Sequence, residues 1–318
     1  MRAIVQTGYG APEQVLRIEE IDAPAIGPDE VLIRVRATSV NTPDWATVAG
    51  EPSILRLGAG PRRPRRRIRG SDVAGVVEAV GAGVAGLVPG DEVFGSAQGT
   101  FAEYVAAPAA RLVKKPAGLT FTDAAASVMA GLTALAAMRD VAHVSAGTRV
   151  LVNGASGGVG TMAVQIAKAL GAEVTAVCGP GNAELVRSLG ADHVVDYTSE
   201  DFTRSGPRFD AVLDNVLNHP PKATARLLAP GGVLMPNSIG NTGGLLAGLP
   251  RTARAALMAN VRLVKPAYDR ENLTALLELL ETGKVRVVVD QAYPLDHAAS
   301  AVAHMLGHHA RGKIVITA

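Results

Sequence analysis

The clearest chemical signal in the sequence is a glycine-rich turn, Asn-Gly-Ala-Ser-Gly-Gly-Val-Gly, at residues 153–160. A short apolar run at 149–152 precedes it, and apolar residues at helical spacing follow it up to residue 170. Small residues after a strand let the backbone approach a pyrophosphate, which the N–H groups of the next helix can bind. This context predicts a dinucleotide site, and a tight packing turn is the alternative. The predicted binding residues in this turn are Ala155, Ser156, Gly157, Gly158, Val159 and Gly160.

A second turn, at 178–182, is expected to contact the ribose of the cofactor. It follows the predicted strand 173–178 and contains no carboxylate, the group that would bind a ribose 2′-hydroxyl and repel a 2′-phosphate. The sequence therefore predicts NADPH as the cofactor, with NADH as a weaker ligand. Arg187, Tyr197 and Lys313 are more distant candidates for the 2′-phosphate. The other predicted cofactor residues are Cys178, Gly179, Gly181, Asn182, Asn215, Ser238 and Ile239.

The composition indicates a globular protein of two domains. The chain has 318 residues, more than one hydrophobic core usually organises, and 48% hydrophobic with 19% charged residues excludes a disordered chain. The apolar runs are too short to span a bilayer and the first residues lack a secretory signal, so we expect a cytoplasmic protein with no membrane partner. The single cysteine, Cys178, excludes an internal disulfide and a structural zinc site, and we assign it no catalytic role.

Six arginines lie between residues 62 and 69, although the formal net charge of the chain is only +2. Such a cluster can bind a phosphate or a nucleic acid. No aromatic residue accompanies it as a stacking platform, which favours a solvated loop beside the active-site cleft. We therefore expect no nucleic-acid partner.

The pattern of predicted elements changes near residue 122. Before it, short alternating segments such as 31–37 and 73–80 predict a β-rich, partly open barrel. After it, helices and strands alternate up to residue 235, which is typical of a parallel, doubly wound sheet. The tail is predicted to contain a helix at 273–280, a strand at 285–289, a helix at 298–306 and a strand at 313–316. The predicted fold class is therefore α/β.

Several segments together resemble the zinc-free, quinone oxidoreductase-like (zeta-crystallin-type) branch of the medium-chain dehydrogenase/reductase superfamily. The resemblance covers nearly the whole chain. It implies a GroES-like substrate domain formed by residues 1–121 and 266–318, with a Rossmann NADP(H)-binding domain of residues 122–265 inserted between them. It also implies a homodimer that acts on a small electrophilic molecule. The segments that carry the resemblance are 1–5, 39–45, 70–75, 89–95, 131–134, 153–160 and 310–315.

The resemblance also assigns residues near the nicotinamide. Asn41 and Thr133 are the expected catalytic residues, and Asp44 and Trp45 are expected to shape the substrate pocket. Two roles stay open for Asn41, since its amide would either orient the substrate oxygen or cap and pin the adjoining loop. Asp44 also has a structural alternative as a hydrogen-bond acceptor. Thr133 is expected to present its hydroxyl to the cofactor, and an ordinary buried helix residue is its alternative.

The sequence departs from the zinc-dependent members of this superfamily at two positions. Asn41 stands where those enzymes have a cysteine, and Gly70-Ser71-Asp72 stands where they have Gly-His-Glu. The lobe of four cysteines that holds their structural zinc is missing as well. Zinc sites in proteins are built from thiolates, imidazoles and carboxylates, so we expect no zinc.

Without a metal, hydride transfer is easiest to a quinone or an α,β-unsaturated carbonyl, whose developing negative charge is delocalised. We therefore predict an NADPH-dependent quinone or enone oxidoreductase. The alternatives are a zinc-free alcohol or carbonyl oxidoreductase and a low-turnover NADPH-binding protein with a structural or regulatory role. The proton donor is open between solvent and four tyrosines, and the substrate pocket is expected from the loops at 62–69 and 241–268. The four tyrosines are Tyr104, Tyr197, Tyr268 and Tyr293.

Overall fold

The structure is a computed structural model, and it describes residues 1–51, 55–204, 206–238, 258–307 and 311–318. The chain divides into two compact units, which we call the split unit and the inserted unit. The split unit comprises Met1–Met129, Tyr268–Glu281 and Val287–Ala318, and the inserted unit comprises Ala130–Ala267 and Thr282–Arg286. The chain therefore leaves the split unit after Met129, returns to it at Tyr268 and enters the inserted unit once more over Thr282–Arg286. This arrangement confirms the predicted α/β class, with a parallel-sheet domain inserted in a β-rich one.

The split unit is built around a seven-stranded sheet with the order β13-β14-β3-β4-β5-β7, in which β6 pairs with β3. Strands β1 and β2 form a separate antiparallel pair. Its strands are β1 (Arg2–Gln6), β2 (Leu16–Glu20), β3 (Glu30–Ser39), β4 (Asp72–Val80), β5 (Glu92–Ser96), β6 (Tyr104–Pro108), β7 (Leu112–Lys114), β13 (Val289–Pro294) and β14 (Lys313–Thr317). Its helices are α1 (Pro12–Val15), α2 (Thr42–Ala49), α3 (Leu55–Ala59), α8 (Arg270–Glu281) and α9 (Ala298–Gly307).

The alternating sequence of β3 shows why this sheet forms. Val31, Ile33 and Val35 point to one face and are buried in a core with residues of β4, β5 and β6. Successive side chains on a strand point to opposite faces, so alternate apolar residues create one buried face.

The sequence places the next-to-last strand too early. The valine-rich stretch at 285–289 predicts a strand by composition, but β13 runs from Val289 to Pro294 and pairs in parallel with β14. The pairing begins where Val289 lies opposite Lys313. Pairing with a neighbouring strand, rather than β propensity, therefore fixes this element.

The inserted unit contains a five-stranded, all-parallel sheet with the order β10-β9-β8-β11-β12. Asn153 lies opposite Asp214 in the register, so β8 and β11 end at the same edge of the sheet. The strands are β8 (Arg149–Asn153), β9 (Glu173–Cys178), β10 (His193–Asp196), β11 (Phe209–Asp214) and β12 (Leu228–Pro236). The helices are α5 (Gly158–Ala169), α6 (Ala183–Ser188) and α7 (Pro221–Ala225).

Helix α4 (Phe121–Leu135) carries the chain from one unit to the other, and a π-helical segment, Ala136–Val141, continues it. The sequence predicts the first domain boundary between residues 121 and 122. In the structure, the split unit ends at Met129 and the inserted unit begins at Ala130, so this boundary lies within the helix. The expectation that every apolar run is too short to span a bilayer is wrong for Phe121–Val141, which is long and apolar enough, but 78% of its most apolar stretch is buried within the fold. A core helix has the same properties.

Candidate functional site

The glycine-rich turn forms a strand–turn–helix unit in the inserted unit. Gly154 has a φ of +74°, a conformation that glycine adopts without strain. A Cβ on Gly160 would lie 2.1 Å from the carbonyl oxygen of Gly154, so this position admits only glycine. A Cβ on Gly157 would meet nothing closer than that same oxygen, at 3.5 Å. The turn therefore has no room at Gly160 and open space at Gly157.

The N-terminus of α5 is open to a ligand. Gly157 is its N-cap, and no side chain among the described residues caps this helix end. The first N–H groups of a helix have no partner within the helix, and the helix dipole makes this end attractive to anions. The open space at Gly157 and these free donors fit the pyrophosphate of a dinucleotide.

The turn after β9 lies beside the glycine-rich turn. Asn182 Nδ2 donates to Ser156 Oγ at 3.2 Å. The Oδ1 atom of Asn182 is buried and accepts no hydrogen bond within the described part of the chain. Tyr197 is 47% exposed, and a Cβ on Gly179 would lie 3.3 Å from its hydroxyl. Cys178 ends the buried strand. The free acceptor on Asn182 and the exposed phenol of Tyr197 fit the hydroxyls and the phosphate of a ribose.

A row of amide side chains follows the carboxyl ends of β8, β11 and β12. Asn153 Nδ2 donates to Asp214 Oδ1 at 2.8 Å, and Asn215 Nδ2 donates to the carbonyl oxygen of Asn153 at 3.1 Å. Asn237 Nδ2 donates to Asn215 Oδ1 at 2.8 Å, which places Asn237 in the amide row, and Ser238 follows it in the sequence. Sequence reasoning selected Asn215 and Ser238 but missed Asn153, Asp214 and Asn237. The available signal was a polar residue at the end of each apolar strand. The predicted cofactor residue Ile239 lies outside the described residues.

In the split unit, Asn41 belongs to a buried polar cluster with Asp72 and Lys313. Asn41 Oδ1 accepts a hydrogen bond from Lys313 Nζ at 2.5 Å. Asn41 Nδ2 donates to Asp72 Oδ2 at 2.8 Å and to the carbonyl oxygen of Ser39 at 3.3 Å. Both hydrogens of the amide therefore have acceptors within the protein. The geometry favours the pinning role of Asn41 over direct binding of a substrate oxygen.

Lys313, a predicted ligand of the 2′-phosphate, has its ammonium buried among polar groups of the split unit. Its ammonium is buried and donates to the carbonyl oxygen of Val40 at 2.9 Å as well as to Asn41. Burial lowers the pKa of Lys313, and the carboxylates of Asp72 and Asp44 oppose that effect. Sequence reasoning missed this pairing because Lys313 and Asn41 lie at opposite ends of the chain. The signal was a lysine at the start of a buried strand.

Asp44 joins the N-terminus of α2 to the turn that contains Gly70. Its Oδ2 accepts from the backbone N–H of Asn41 and its Oδ1 from that of Gly70, both at 2.9 Å. These two bonds favour a structural role for Asp44 as a hydrogen-bond acceptor, the alternative to a role in the substrate pocket. Burial raises the pKa of Asp44 to about 6, in spite of the two hydrogen bonds. Burial also raises the pKa of Asp72, which Lys313 and Ser39 counteract.

The remaining expected site residues lie in different places. Thr133 is buried on α4. Trp45 is partly buried and packs against the core of the split unit. Among the tyrosines, Tyr268 interacts electrostatically with Asp44 and Asp72, and burial raises its pKa above the usual range. Tyr293 already donates to Gln291 Oε1 at 3.1 Å.

The cluster around Asn41 does not have the donor set of a zinc site. Its side chains are an amide, two carboxylates, a serine hydroxyl and an ammonium, whereas zinc prefers thiolate and imidazole ligands. The ammonium of Lys313 already provides the positive charge next to Asn41 and Asp72. In the parts of the chain that the structure describes, no group of three or more His, Cys, Asp and Glu side chains comes together. These side chains therefore do not fit a zinc ion.

Two family models match the chain. The model of the alcohol dehydrogenase GroES-like domain matches residues 27–117, and a zinc-binding dehydrogenase model matches residues 189–316. The match for residues 27–117 lies within the split unit.

Curated relatives and solved structures match over nearly the full length. A chloroplast envelope quinone oxidoreductase homolog of Arabidopsis thaliana is 35% identical, over 99% of this chain and 98% of that protein. A 2-methylene-furan-3-one reductase of Solanum lycopersicum is 33% identical over 99% and 79% of the two chains. The quinone oxidoreductase of Coxiella burnetii has a TM-score of 0.86 at 27% identity, covering 100% and 99%. Mycobacterial Rv1454c complexed with NADPH has a TM-score of 0.82 at 29% identity, covering 100% of both chains.

Proposed function

Because this chain belongs to the medium-chain dehydrogenase/reductase superfamily, as a quinone oxidoreductase-like member, we propose that it reduces a quinone or an α,β-unsaturated carbonyl with NADPH and without zinc. The observation that carries the proposal is the uncapped N-terminus of α5 behind the open turn at Gly157. The solved relative that holds NADPH supports the choice of cofactor.

The inserted unit supplies the residues that would hold the cofactor. The turn from Ala155 to Gly160 would bind the pyrophosphate through backbone N–H groups. Asn182 and Tyr197 would contact the adenosine ribose, and Asn215 would contact the other end of the cofactor. Bound NADPH would supply the hydride. The roles of the turn, Asn182 and Tyr197 use a free donor, a free acceptor or open space among the described residues, whereas the amide of Asn215 already donates to Asn153 and accepts from Asn237.

The split unit favours chemistry that needs no Lewis acid. The cation next to Asn41 is the ammonium of Lys313, whose pKa is lowered by burial. A conjugated electrophile delocalises the negative charge that hydride transfer creates, so hydrogen-bond donors are enough to stabilise it. The relatives named as quinone oxidoreductases and as a furanone reductase support this substrate class.

A zinc-free alcohol or carbonyl oxidoreductase is the second candidate. The descriptions of both matching family models, which refer to alcohol dehydrogenases and zinc-binding dehydrogenases, favour it. The side chains around Asn41 argue against it, because an unactivated carbonyl develops a localised alkoxide that usually needs a metal or a proton donor.

A screen of NADPH oxidation against quinones, enones, aldehydes and ketones, with alcohols and NADP⁺ in the reverse direction, tests the proposal. We expect turnover with quinones or enones and none with simple aldehydes, ketones or alcohols. Turnover confined to carbonyls or alcohols would replace the proposal by the second candidate, and tight NADPH binding without any turnover would support a structural or regulatory role. A homodimer and a cytoplasmic location remain proposals, and light scattering tests the first.

A further inference from the structure

Arg69 is a half-buried arginine with unused hydrogen-bond donors. Its Nε and Nη2 atoms are buried, and neither has an acceptor among the described residues. Burial lowers its pKa. A cation that gives up hydration without gaining acceptors is destabilising, so such a group is rarely left without a partner. The hydroxyl of Ser71, two residues away, is also buried and has no hydrogen-bond partner in the described parts of the chain.

The backbone around Arg69 is held firmly. The N–H of Phe101 donates to the carbonyl oxygen of Arg69 at 3.0 Å, and the N–H of Gly99 donates to that of Gly70 at 3.0 Å. Gly70 has a φ of +93°, and a Cβ there would lie 2.2 Å from Thr100 Oγ1. The turn is therefore closely packed, and Arg69 projects from a fixed position rather than from a loose loop.

No charged side chain in the described part of the molecule forms an ion pair with the Arg69 guanidinium. Asp44 is the negatively charged residue that attracts Arg69 most strongly, but no ion pair joins the two within the described residues. Both carboxylate oxygens of Asp44 already accept hydrogen bonds from backbone N–H groups. Tyr9 donates its hydroxyl to the carbonyl oxygen of Gly60 at 2.6 Å. Arg66 is close enough to repel Arg69. The site has spare donors and lacks an acceptor.

The sequence adjoining Arg69 adds further positive charge. Arg62, Arg63, Arg65, Arg66 and Arg67 are all exposed. Among the residues that the structure describes, one carboxylate pairs with them, that of Glu19, which lies 3.3 Å from Arg67. Clustered charges of one sign raise the local concentration of ions of opposite sign. An anion would be attracted by the exposed arginines and would find free donors at Arg69.

We propose that Arg69 binds an anionic group, a carboxylate or a phosphate, on the electrophile that this protein reduces. Arginine is suited to both groups because its guanidinium donates two parallel hydrogen bonds. The inference rests on the proposed function and narrows its substrate class from conjugated electrophiles in general to those that carry a negative charge.

Three naphthoquinones test this assignment: one with a propanoate side chain, its methyl ester, and one with a propyl phosphate side chain. The saturated chain insulates the ring, so the three differ mainly in charge. We expect the parent protein to prefer an anionic quinone over the ester by about tenfold to a hundredfold in kcat/KM, as one charge-assisted contact implies. Whichever anionic quinone has the higher kcat/KM relative to the ester identifies the group that Arg69 binds, a carboxylate or a phosphate. Equal values for all three quinones would overturn the assignment.

Substitutions assign the preference to one residue. Arg69→Met removes the charge and keeps a side chain of similar length. We expect it to abolish the preference for the anionic quinones by raising their KM, while kcat/KM for the methyl ester stays unchanged. Arg69→Lys should restore part of it. Arg63→Met is the matched control, because Arg63 is exposed and should matter little in about 0.3 M salt, where exposed charges are screened. If Arg69→Met keeps the preference of the parent, Arg69 is not the anion site.

Equilibrium binding provides a readout that needs neither cofactor nor turnover. The affinity for 3-(1-naphthyl)propanoate, followed by its fluorescence, should fall at least about tenfold in Arg69→Met and stay unchanged in Arg63→Met. Unchanged affinity in Arg69→Met would contradict the assignment. If the parent reduces none of the three quinones, the proposed function fails for this substrate class, and the binding result still decides whether Arg69 binds anions.

Discussion

Among the individual residues, Lys313 and Asn41 determine the character of the split unit. The ammonium of Lys313 and the carboxylate of Asp72 hold the two ends of the Asn41 amide. Sequence motifs selected Asn41 and Asp44, because these residues lie in segments that resemble a family. The sequence did not show their partners, because residues 41, 72 and 313 are brought together only by the pairing of β3 with β4 and β14.

Replacing Lys313 tests the importance of the buried charge. Lys313→Met leaves the buried carboxylate of Asp72 without its cation, and we expect a loss of about 3–5 kcal/mol in the free energy of unfolding. Lys114→Met is the control, because Lys114 is 58% exposed and its ion pair with Asp91 should contribute about 0–1 kcal/mol. Urea denaturation measures both. A loss of less than about 1 kcal/mol in Lys313→Met would contradict the role of the cluster.

The raised pKa of Asp44 predicts a pH dependence of stability. The folded protein keeps a proton on Asp44 up to about pH 6, whereas the unfolded chain releases it near the ordinary value. Between these values the folded state binds more protons, so stability falls as the pH rises. The stability of the parent relative to Asp44→Asn should therefore fall by about 2 kcal/mol between pH 4 and pH 7.

Urea denaturation at several pH values measures this difference. Asp91→Asn is the control with the opposite sign, because the hydrogen bond from Lys114 holds the pKa of Asp91 below its usual range. For that pair, the stability of the parent relative to the variant should rise with pH in the acid range. A parent-to-variant difference at Asp44 that does not depend on pH would show that its carboxylate is ionised normally.

At the level of secondary-structure elements, the strand–turn–helix unit at 149–169 was predictable because its determinants are local. An apolar run, a glycine-rich turn and a helical repeat follow one another in the sequence, and the structure places β8 and α5 there. Strand β13 was predicted too early because its position depends on β14, its partner in the sheet. Local sequence patterns therefore predict an element well where its position depends on residues close to it in the sequence.

Substitutions at two glycines of the turn should affect NADPH binding and protein stability separately. Gly157→Val should leave the fold largely intact, because a Cβ there meets nothing closer than 3.5 Å, but it should reduce NADPH affinity by at least about a hundredfold by filling the space for the pyrophosphate. Gly160→Ala should destabilise the protein itself, since its Cβ would lie 2.1 Å from a backbone oxygen. Fluorescence titration with NADPH and thermal denaturation distinguish the two. Parental NADPH affinity in Gly157→Val would show that the turn is only structural.

The turn after β9 should determine the cofactor preference. It contains no carboxylate and no cation, so we expect NADPH to be favoured over NADH by about tenfold or less. Gly181→Arg should increase this ratio by adding a charge for the 2′-phosphate. Gly179→Asp should reverse it, although Tyr197 must shift to make room. Affinities for the two cofactors measure the ratio, and no change in either variant would place the ribose elsewhere.

For the molecule as a whole, the return of the chain to the split unit could not be predicted from periodicity. Nothing in the local pattern of β13 or β14 shows that they join a sheet begun by residues near 30. The resemblance to a known family supplied this part of the fold, and the division into two units confirms it. The same resemblance supplied Asn41, Thr133, Asp44 and Trp45 as site residues, and it did not supply Lys313 as the partner of Asn41.

The most direct test of the central claim combines metal analysis with activity. The purified protein is dialysed against a chelator, its zinc content is measured by elemental analysis, and the rate of NADPH oxidation with a naphthoquinone is compared before and after dialysis. The account predicts less than about 0.1 zinc per chain and an unchanged rate, because the side chains around Asn41 do not form a zinc site. One tightly held zinc per chain, or a rate that disappears on dialysis and returns with added zinc, would contradict it.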